Sequence, residues 1–261
     1  MSFVILGNQR SGTSYLLDLV NQHPSVDTIN EPFSMHLDFF RRDESPWTKN
    51  DYDEDLLHPD LEEFGETRNF ILELQNWLNF DFPKVRGFKE TALFEKYDWM
   101  RQVLLFDHTI IAIRDFRAVI CSILRRKMHQ GWWDYEKRLR DYYGYYAKSE
   151  DHIICAELLK HRTNYLVDII QKQPCYVLKL EDLLNNPEVE LDSLMKYIGL
   201  EISIEQKKFF LETSQETRDS TYSNFRRKED VLDKWKSQLA PEVISDINRI
   251  LEDQLQFFGY T

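Results

Sequence analysis

The apolar run Phe3-Val4-Ile5-Leu6 leads directly into Gly7-Asn8-Gln9-Arg10-Ser11-Gly12-Thr13-Ser14, and this juncture constrains the fold more than any other stretch. Four consecutive apolar residues bounded by glycine read as a strand buried on both faces. Residues from about 12 to 22 then follow a helical pattern, halted by His23-Pro24. A glycine-bearing turn between strand and helix lets successive N–H groups converge, and the helix N-terminus favours negative charge. The turn therefore reads as an anion cradle with Thr13 and Ser14 as extra donors; the plainer alternative is an ordinary strand-to-helix connection. Gly7 and Gly12 have the spacing of a nucleoside-triphosphate loop, but Thr13 stands where that loop needs lysine, and the cation is Arg10.

The pattern repeats along the chain. Strands are expected near 26–29, 85–89, 108–114 and 175–180, with helices near 116–129, 150–172, 187–198, 203–212 and 240–257. Strands separated by helices imply an α/β fold of three layers, a parallel sheet of about five strands flanked by helices. Two stretches interrupt it as insertions within a single domain of residues 1–261, at about 35–83 and at about 130–150. The first is acidic and aromatic with one expected helix, about 60–79; the second is rich in Trp and Tyr. Ligands of such sheets lie at the carboxyl ends of the strands, so residues just after strands are the candidates.

Composition narrows the ligand. A net charge of −12 excludes a general nucleic-acid binder, which needs a positive field. An anionic ligand must be held by cations placed locally. Three widely spaced cysteines, Cys121, Cys155 and Cys175, suit a reducing compartment and form neither a disulfide framework nor a metal cluster. No stretch reaches the roughly 20 apolar residues of a membrane span, and the N-terminus reads as a first strand without a leader, which points to the cytoplasm.

A second anion site follows the longest apolar strand. Arg114 ends it, and Ser122 lies about two turns into the next helix, so the two can converge on one phosphate. The alternative is that Arg114 pairs with a neighbouring acid and Ser122 packs. That the strand ends in arginine, where a kinase would place a magnesium-binding aspartate, disfavours metal–nucleotide chemistry. Phe225-Arg226-Arg227-Lys228 is a basic cluster in an acidic chain, readable as a solvated charge run or as a ligand contact.

Arg10-Ser11-Gly12-Thr13-Ser14, the following helix and His23-Pro24 resemble the 5′-phosphosulfate loop of sulfotransferases that use 3′-phosphoadenosine 5′-phosphosulfate (PAPS). The Arg-Ser-Gly-Thr form is closest to that of carbohydrate and tyrosyl-protein enzymes. The resemblance implies that Arg10 meets the leaving group, that Ser11, Gly12, Thr13 and Ser14 hold the 5′-phosphate, and that Tyr15 lies against adenine. It assigns Arg114 and Ser122 to the 3′-phosphate, and Arg227 and Lys228 to the C-terminal segment over the nucleotide. Two positions depart from the family's pattern: Phe116 replaces the usual proline after Arg-Asp, and Leu180 replaces the usual tyrosine.

Transfer of a sulfuryl group needs a base for the acceptor's proton and positive charge near the departing oxygen. Glu31, in Asn30-Glu31-Pro32 after a strand, is the expected base; His129, His108 and His152 are rivals, His129 foremost. Lys89, ending its strand, is the expected second cation, with a salt bridge to an acid as the alternative. The implied donor is PAPS and the implied product is adenosine 3′,5′-bisphosphate (PAP), without a metal. The expected acceptor is a small sugar or a polar, cationic natural product, the latter suited to Trp132, Trp133 and Tyr135. Two other functions remain open at this point: a nucleoside or nucleotide kinase using ATP and magnesium, and a non-catalytic nucleotide-binding module.

Overall fold

The computed structural model describes residues 1–35, 65–79, 83–91, 94–126, 150–215, 218 and 227–260. In chain order these form β1 (Ser2–Leu6), α1 (Thr13–Asn21), β2 (Val26–Asn30), α2 (Pro32–Met35), α3 (Gly65–Asn79) and β3 (Val85–Glu90). After a short 3-10 turn come α4 (Tyr97–Leu104), β4 (His108–Ile113), α5 (Phe116–Arg125), α6 (Asp151–Lys172) and β5 (Tyr176–Lys179). The chain continues with α7 (Leu180–Asn185), α8 (Pro187–Tyr197) and α9 (Ile204–Ser214). It ends with α10 (Lys228–Leu232), α11 (Lys234–Gln238), α12 (Pro241–Ile250) and α13 (Glu252–Phe257). Most of both expected insertions, with His129, Trp132, Trp133 and Tyr135, lies outside the described residues.

The five strands pair in parallel in the order β2-β3-β1-β4-β5, with β1 at the centre. All five residues of β1 are buried, as its unbroken apolar run predicts. The pleat sends Val4 and Leu6 into one apolar layer with Phe88, Ile111 and Ile113. Phe3 and Ile5 enter the opposite layer with Ile110, Ala112 and Leu178. Helices cover both faces, giving the expected three layers. The connection leaving β1 runs toward β2 and the one leaving β4 runs toward β5, in opposite directions across the sheet. A crevice opens at that divergence, at the carboxyl ends of β1 and β4. Among the described residues, no helix is long and apolar enough to cross a membrane.

The central strands approach closely at one glycine. Phe3 of β1 stands opposite Gly87 of β3, and a Cβ at Gly87 would lie 2.3 Å from atoms of the Phe3 ring. Gly87→Ala is expected to lower stability by about 1–3 kcal/mol through overpacking. A urea melt should show a lower midpoint at unchanged slope; an unmoved midpoint would mean that the ring yields freely.

The structure adds to the expected elements. Helix α4 has no counterpart in the sequence reading, although Tyr97, Met100 and Leu104 are buried on one face. Its end lacks the usual glycine: Leu105 takes the left-handed conformation there (φ 56). Residues 228–238, where the sequence reading placed no element, fold as α10 and α11, and the long final helix breaks at Leu251 into α12 and α13.

Candidate active site at the carboxyl edge of the sheet

The loop after β1 opens α1 through Gly12, which sits in the left-handed region (φ 85) and provides no side-chain cap. The N–H groups of the first turn therefore have no partner within the helix, and they face the crevice. A side chain at Gly12 would also meet Leu180, whose Cδ2 would be 2.9 Å from the new Cβ. Leu180, standing in place of the family's tyrosine, thus packs against the loop itself.

The crevice is a cleft of about 620 Å³, and Arg10, Thr13, Ser14, Tyr15, Arg114 and Ser122 all reach its wall. Among the described lining residues, Arg10, Arg114, Arg125 and Lys234 stand against Asp18 and Asp230. Cations therefore outnumber carboxylates here in a chain whose net charge is −12. This local inversion of sign is what an anionic ligand requires.

Two clusters flank the loop. In the first, Arg10 Nε donates to Ser122 Oγ at 3.1 Å. Arg114 Nη1 donates to the Arg10 carbonyl at 3.2 Å, and Arg114 Nη2 to the Val231 carbonyl at 2.7 Å. Arg114 Nε is buried without a hydrogen-bond partner. Burial pushes the Arg114 guanidinium down from its ordinary value, against the pull of Glu181 and Asp115. A dianion placed here would favour the charged guanidinium and offer its Nε an acceptor, so the residues fit a nucleotide phosphate.

This cluster is braced from behind. The Asp115 side chain accepts from Arg117 N at 2.9 Å, capping α5, and pairs with the Arg117 guanidinium at 2.8 Å. Asp115 N donates to Glu181 Oε1 at 2.9 Å, and Tyr260 O–H donates to Glu181 Oε2 at 2.7 Å. Burial and then Glu181 push the Tyr260 phenol far above its usual range. Phe116, in place of the family's proline, meets Phe258 and Tyr260 edge-on at ring separations of 5.9 and 6.0 Å. The Arg117 guanidinium lies 4.5 Å over the ring of Trp235, which lines the cleft.

The second cluster lies beneath the cleft wall. Lys89 Nζ is 2.9 Å from Glu31 Oε1 and 3.1 Å from Ser14 Oγ, with the Lys89 and Glu31 side chains only 4% and 15% exposed. Glu31 N donates to the Lys89 carbonyl at 2.8 Å, tying the end of β2 to β3. The Thr91 hydroxyl donates to Glu31 Oε1. Glu31 and Arg10 both hold left-handed backbone, with φ of 45 and 69. Neither Glu31 nor Lys89 lines the cleft directly; Ser14, which Lys89 touches, does.

The other sequence candidates fall elsewhere. Ser11 is buried within the loop. Tyr15 reaches the cleft but stacks on Phe209 at 6.0 Å and shares a 3.3 Å hydrogen bond with Thr213; burial pushes its phenol up to about 12. Arg227 and Lys228 are exposed and do not line the cleft; Asp230, Val231, Lys234, Trp235 and Gln238 carry that wall instead. His108 begins β4, at the amino edge opposite the loop, and packs against Tyr197. His152 has both ring nitrogens near carboxylates, Glu150 at 3.3 Å and Asp246 at 3.2 Å. His129 lies outside the described residues. Thr91, Val231 and Trp235 were not picked out as site residues from the sequence. Their roles depend on contacts between segments far apart in the chain, and no local motif marks them.

Comparison with known proteins follows the same line. The family model described as "Sulfotransferase domain" matches residues 2–259. A sulfotransferase domain from the curacin biosynthetic pathway shares the fold at a TM-score of 0.59 and 14% identity, over 97% of this chain and 96% of that one. A sulfotransferase domain from the Synechococcus PCC 7002 olefin synthase gives 0.59 and 13%, over 100% and 95%. A mouse sulfotransferase complexed with PAP gives 0.57 and 11%, over 97% and 83%. No curated protein matches. With the family model spanning nearly the whole sequence and a parallel sheet that carries the Gly7–Gly12 loop at the crevice, the chain belongs to the sulfotransferase family.

Proposed function

We propose that this protein transfers the sulfuryl group of PAPS to a hydroxyl, or to an amine or carbamoyl nitrogen, of a small polar acceptor. In this reading Glu31 is the base and no metal takes part. The observation that carries the proposal is the position of Lys89 Nζ, within reach of both Ser14 on the anion loop and Glu31 beside it. A proton acceptor and a cation are thereby held next to the group that would bind the 5′-phosphosulfate. Bound PAPS supplies the sulfuryl group and leaves as PAP. Thr13, Ser14 and the first N–H groups of α1 hold the 5′ end, while Arg114 and Ser122 hold the 3′-phosphate. Glu31 takes the acceptor's proton as its oxygen or nitrogen bonds to sulfur. Lys89 and Arg10 stabilise the charge that collects on the sulfuryl and leaving oxygens as the sulfur–oxygen bond breaks. The three cysteines, none of them in a disulfide, are in keeping with a reducing, cytoplasmic setting.

Side-by-side assays with the two donors test the reading. Turnover is expected with PAPS in the presence of EDTA and none with ATP and magnesium. Calorimetry should show PAP binding at micromolar affinity or tighter, about −8 kcal/mol. Phosphoryl transfer that needs magnesium would establish a kinase instead; PAP binding without transfer to any acceptor would leave a binding module.

A further inference from the structure

Two acids stand beside Arg114, and neither is paired with it. Strands β4 and β5 run in parallel with Ile113 opposite Lys179. Continued past the strand ends, that register brings Arg114 beside Leu180 and Asp115 beside Glu181, where Asp115 N meets the Glu181 carboxylate. Burial works against the charge of the Arg114 guanidinium, and Glu181 and then Asp115 support it, so both carboxylates lie within electrostatic reach. The guanidinium nevertheless gives Nη1 and Nη2 to the carbonyls of Arg10 and Val231, and its buried Nε has no hydrogen-bond partner. An unmet buried donor costs about 1–3 kcal/mol, which an ion pair with either acid would relieve. Something holds the acids off.

Asp115 is held by Arg117. Its Oδ1 accepts from Arg117 N and from Arg117 Nε, each at 2.9 Å, and its Oδ2 accepts from Arg117 Nη2 at 2.8 Å. Glu181 is held by one group at each oxygen. Oε1 accepts from Asp115 N at 2.9 Å, and Oε2 accepts from the Tyr260 hydroxyl at 2.7 Å. The first of these ties belongs to the main chain; the second is a single side-chain hydroxyl.

Tyr260 is itself well fixed. Its N–H donates to the Leu255 carbonyl at 2.8 Å, its ring meets Phe116 edge-on, and Lys179 Nζ lies 5.2 Å from the ring centre. Its phenol, pushed far above the usual range by burial and then by Glu181, stays a donor at any working pH. Tyr260 does not line the cleft. It acts on the cleft only through Glu181.

We propose that Tyr260 is a positioning residue for the nucleotide: its hydroxyl tethers Glu181, so that the carboxylate cannot turn onto Arg114 Nε and take the place of the 3′-phosphate. The inference rests on the reading above, in which Arg114 grips that phosphate. Glu181 is in this view a restrained competitor, and the tether keeps the site selective for a nucleotide phosphorylated at both ends.

Calorimetry with PAP and with AMP, which lacks the 3′-phosphate, tests the tether in a cycle of Tyr260→Phe and Glu181→Gln. Phenylalanine keeps the ring against Phe116 and Lys179 and removes only the hydroxyl. Tyr260→Phe is expected to weaken PAP by about tenfold, as a carboxylate set against the phosphate would, and to leave AMP within about threefold. With Glu181→Gln alongside, that loss should disappear, because an amide carries no charge to compete with. Glu181→Gln alone should leave PAP within about threefold, since its carbonyl oxygen still accepts from Asp115 N. PAP affinity unmoved by Tyr260→Phe, an equal loss for AMP, or a loss that persists beside Glu181→Gln would each overturn the proposal and leave Tyr260 a strut. A comparable gain in PAP affinity from Glu181→Gln alone would also overturn it, since Glu181 would then reach Arg114 with the hydroxyl in place. Wild-type protein that binds PAP no better than AMP, or not at all, would instead overturn the 3′-phosphate reading beneath it.

Discussion

Glu31→Gln is expected to slow sulfuryl transfer by on the order of a hundredfold or more, while PAP binds within about a factor of three of the wild type. Glutamine has nearly the same shape, so its carbonyl oxygen can still accept from Lys89 Nζ and the Thr91 hydroxyl, both partners of Glu31 Oε1. The main-chain bond from residue 31 to the Lys89 carbonyl is untouched. What disappears is the ability to take a proton. Loss of the carboxylate also leaves the buried Lys89 without its counter-charge, which lowers stability, so the rate is compared at a temperature where a melt shows both proteins folded. Single-turnover kinetics with preformed enzyme–PAPS complex isolates the transfer step, and calorimetry with PAP reports on the nucleotide site. A rate within a few-fold of the wild type would remove Glu31 as the base and pass the role to a histidine. His129 would then lead, since His108 lies at the opposite edge of the sheet and His152 is engaged by two carboxylates.

Arg114→Ala is the second large effect: PAP affinity should fall by on the order of a hundredfold or more, about 3 kcal/mol. The guanidinium already spends Nη1 and Nη2 on the carbonyls of Arg10 and Val231 and keeps a buried Nε unpaired. It serves both as the brace of the loop and as the charge at one end of the cleft. The two roles separate with a ligand that lacks the 3′-phosphate. If Arg114 grips that phosphate, AMP binding changes by less than about threefold while PAP binding collapses. Equal losses for both ligands would reduce Arg114 to a structural strut and move the 3′-phosphate to Arg125 or Lys234, which also line the cleft.

Much of the scaffold was legible because its signals are local. The apolar run of β1, the two glycines of the loop and the arginine at the end of β4 each announce themselves within a few residues. A parallel sheet then places all three at one edge. Of the two readings of Lys89, the structure shows the salt bridge, with Glu31 as its acid. The far wall of the cleft was not legible. Arg227 and Lys228 drew attention by their charge, yet the segment turns Val231, Lys234 and Trp235 toward the cleft. What orients it is the Arg117 guanidinium over the Trp235 ring and the Val231 carbonyl under Arg114, contacts across more than a hundred residues of chain.

The left-handed backbone at Arg10 and Glu31 bears on any effort to make this protein hardier. A side chain in that region carries a steric penalty of about 1–3 kcal/mol that glycine avoids. Glycine would relieve that penalty, but at residue 31 it would also strip the buried Lys89 of its counter-charge, and on the proposed mechanism it would remove the base. Engineering for endurance has to hold those two positions fixed and seek its gains elsewhere in the scaffold.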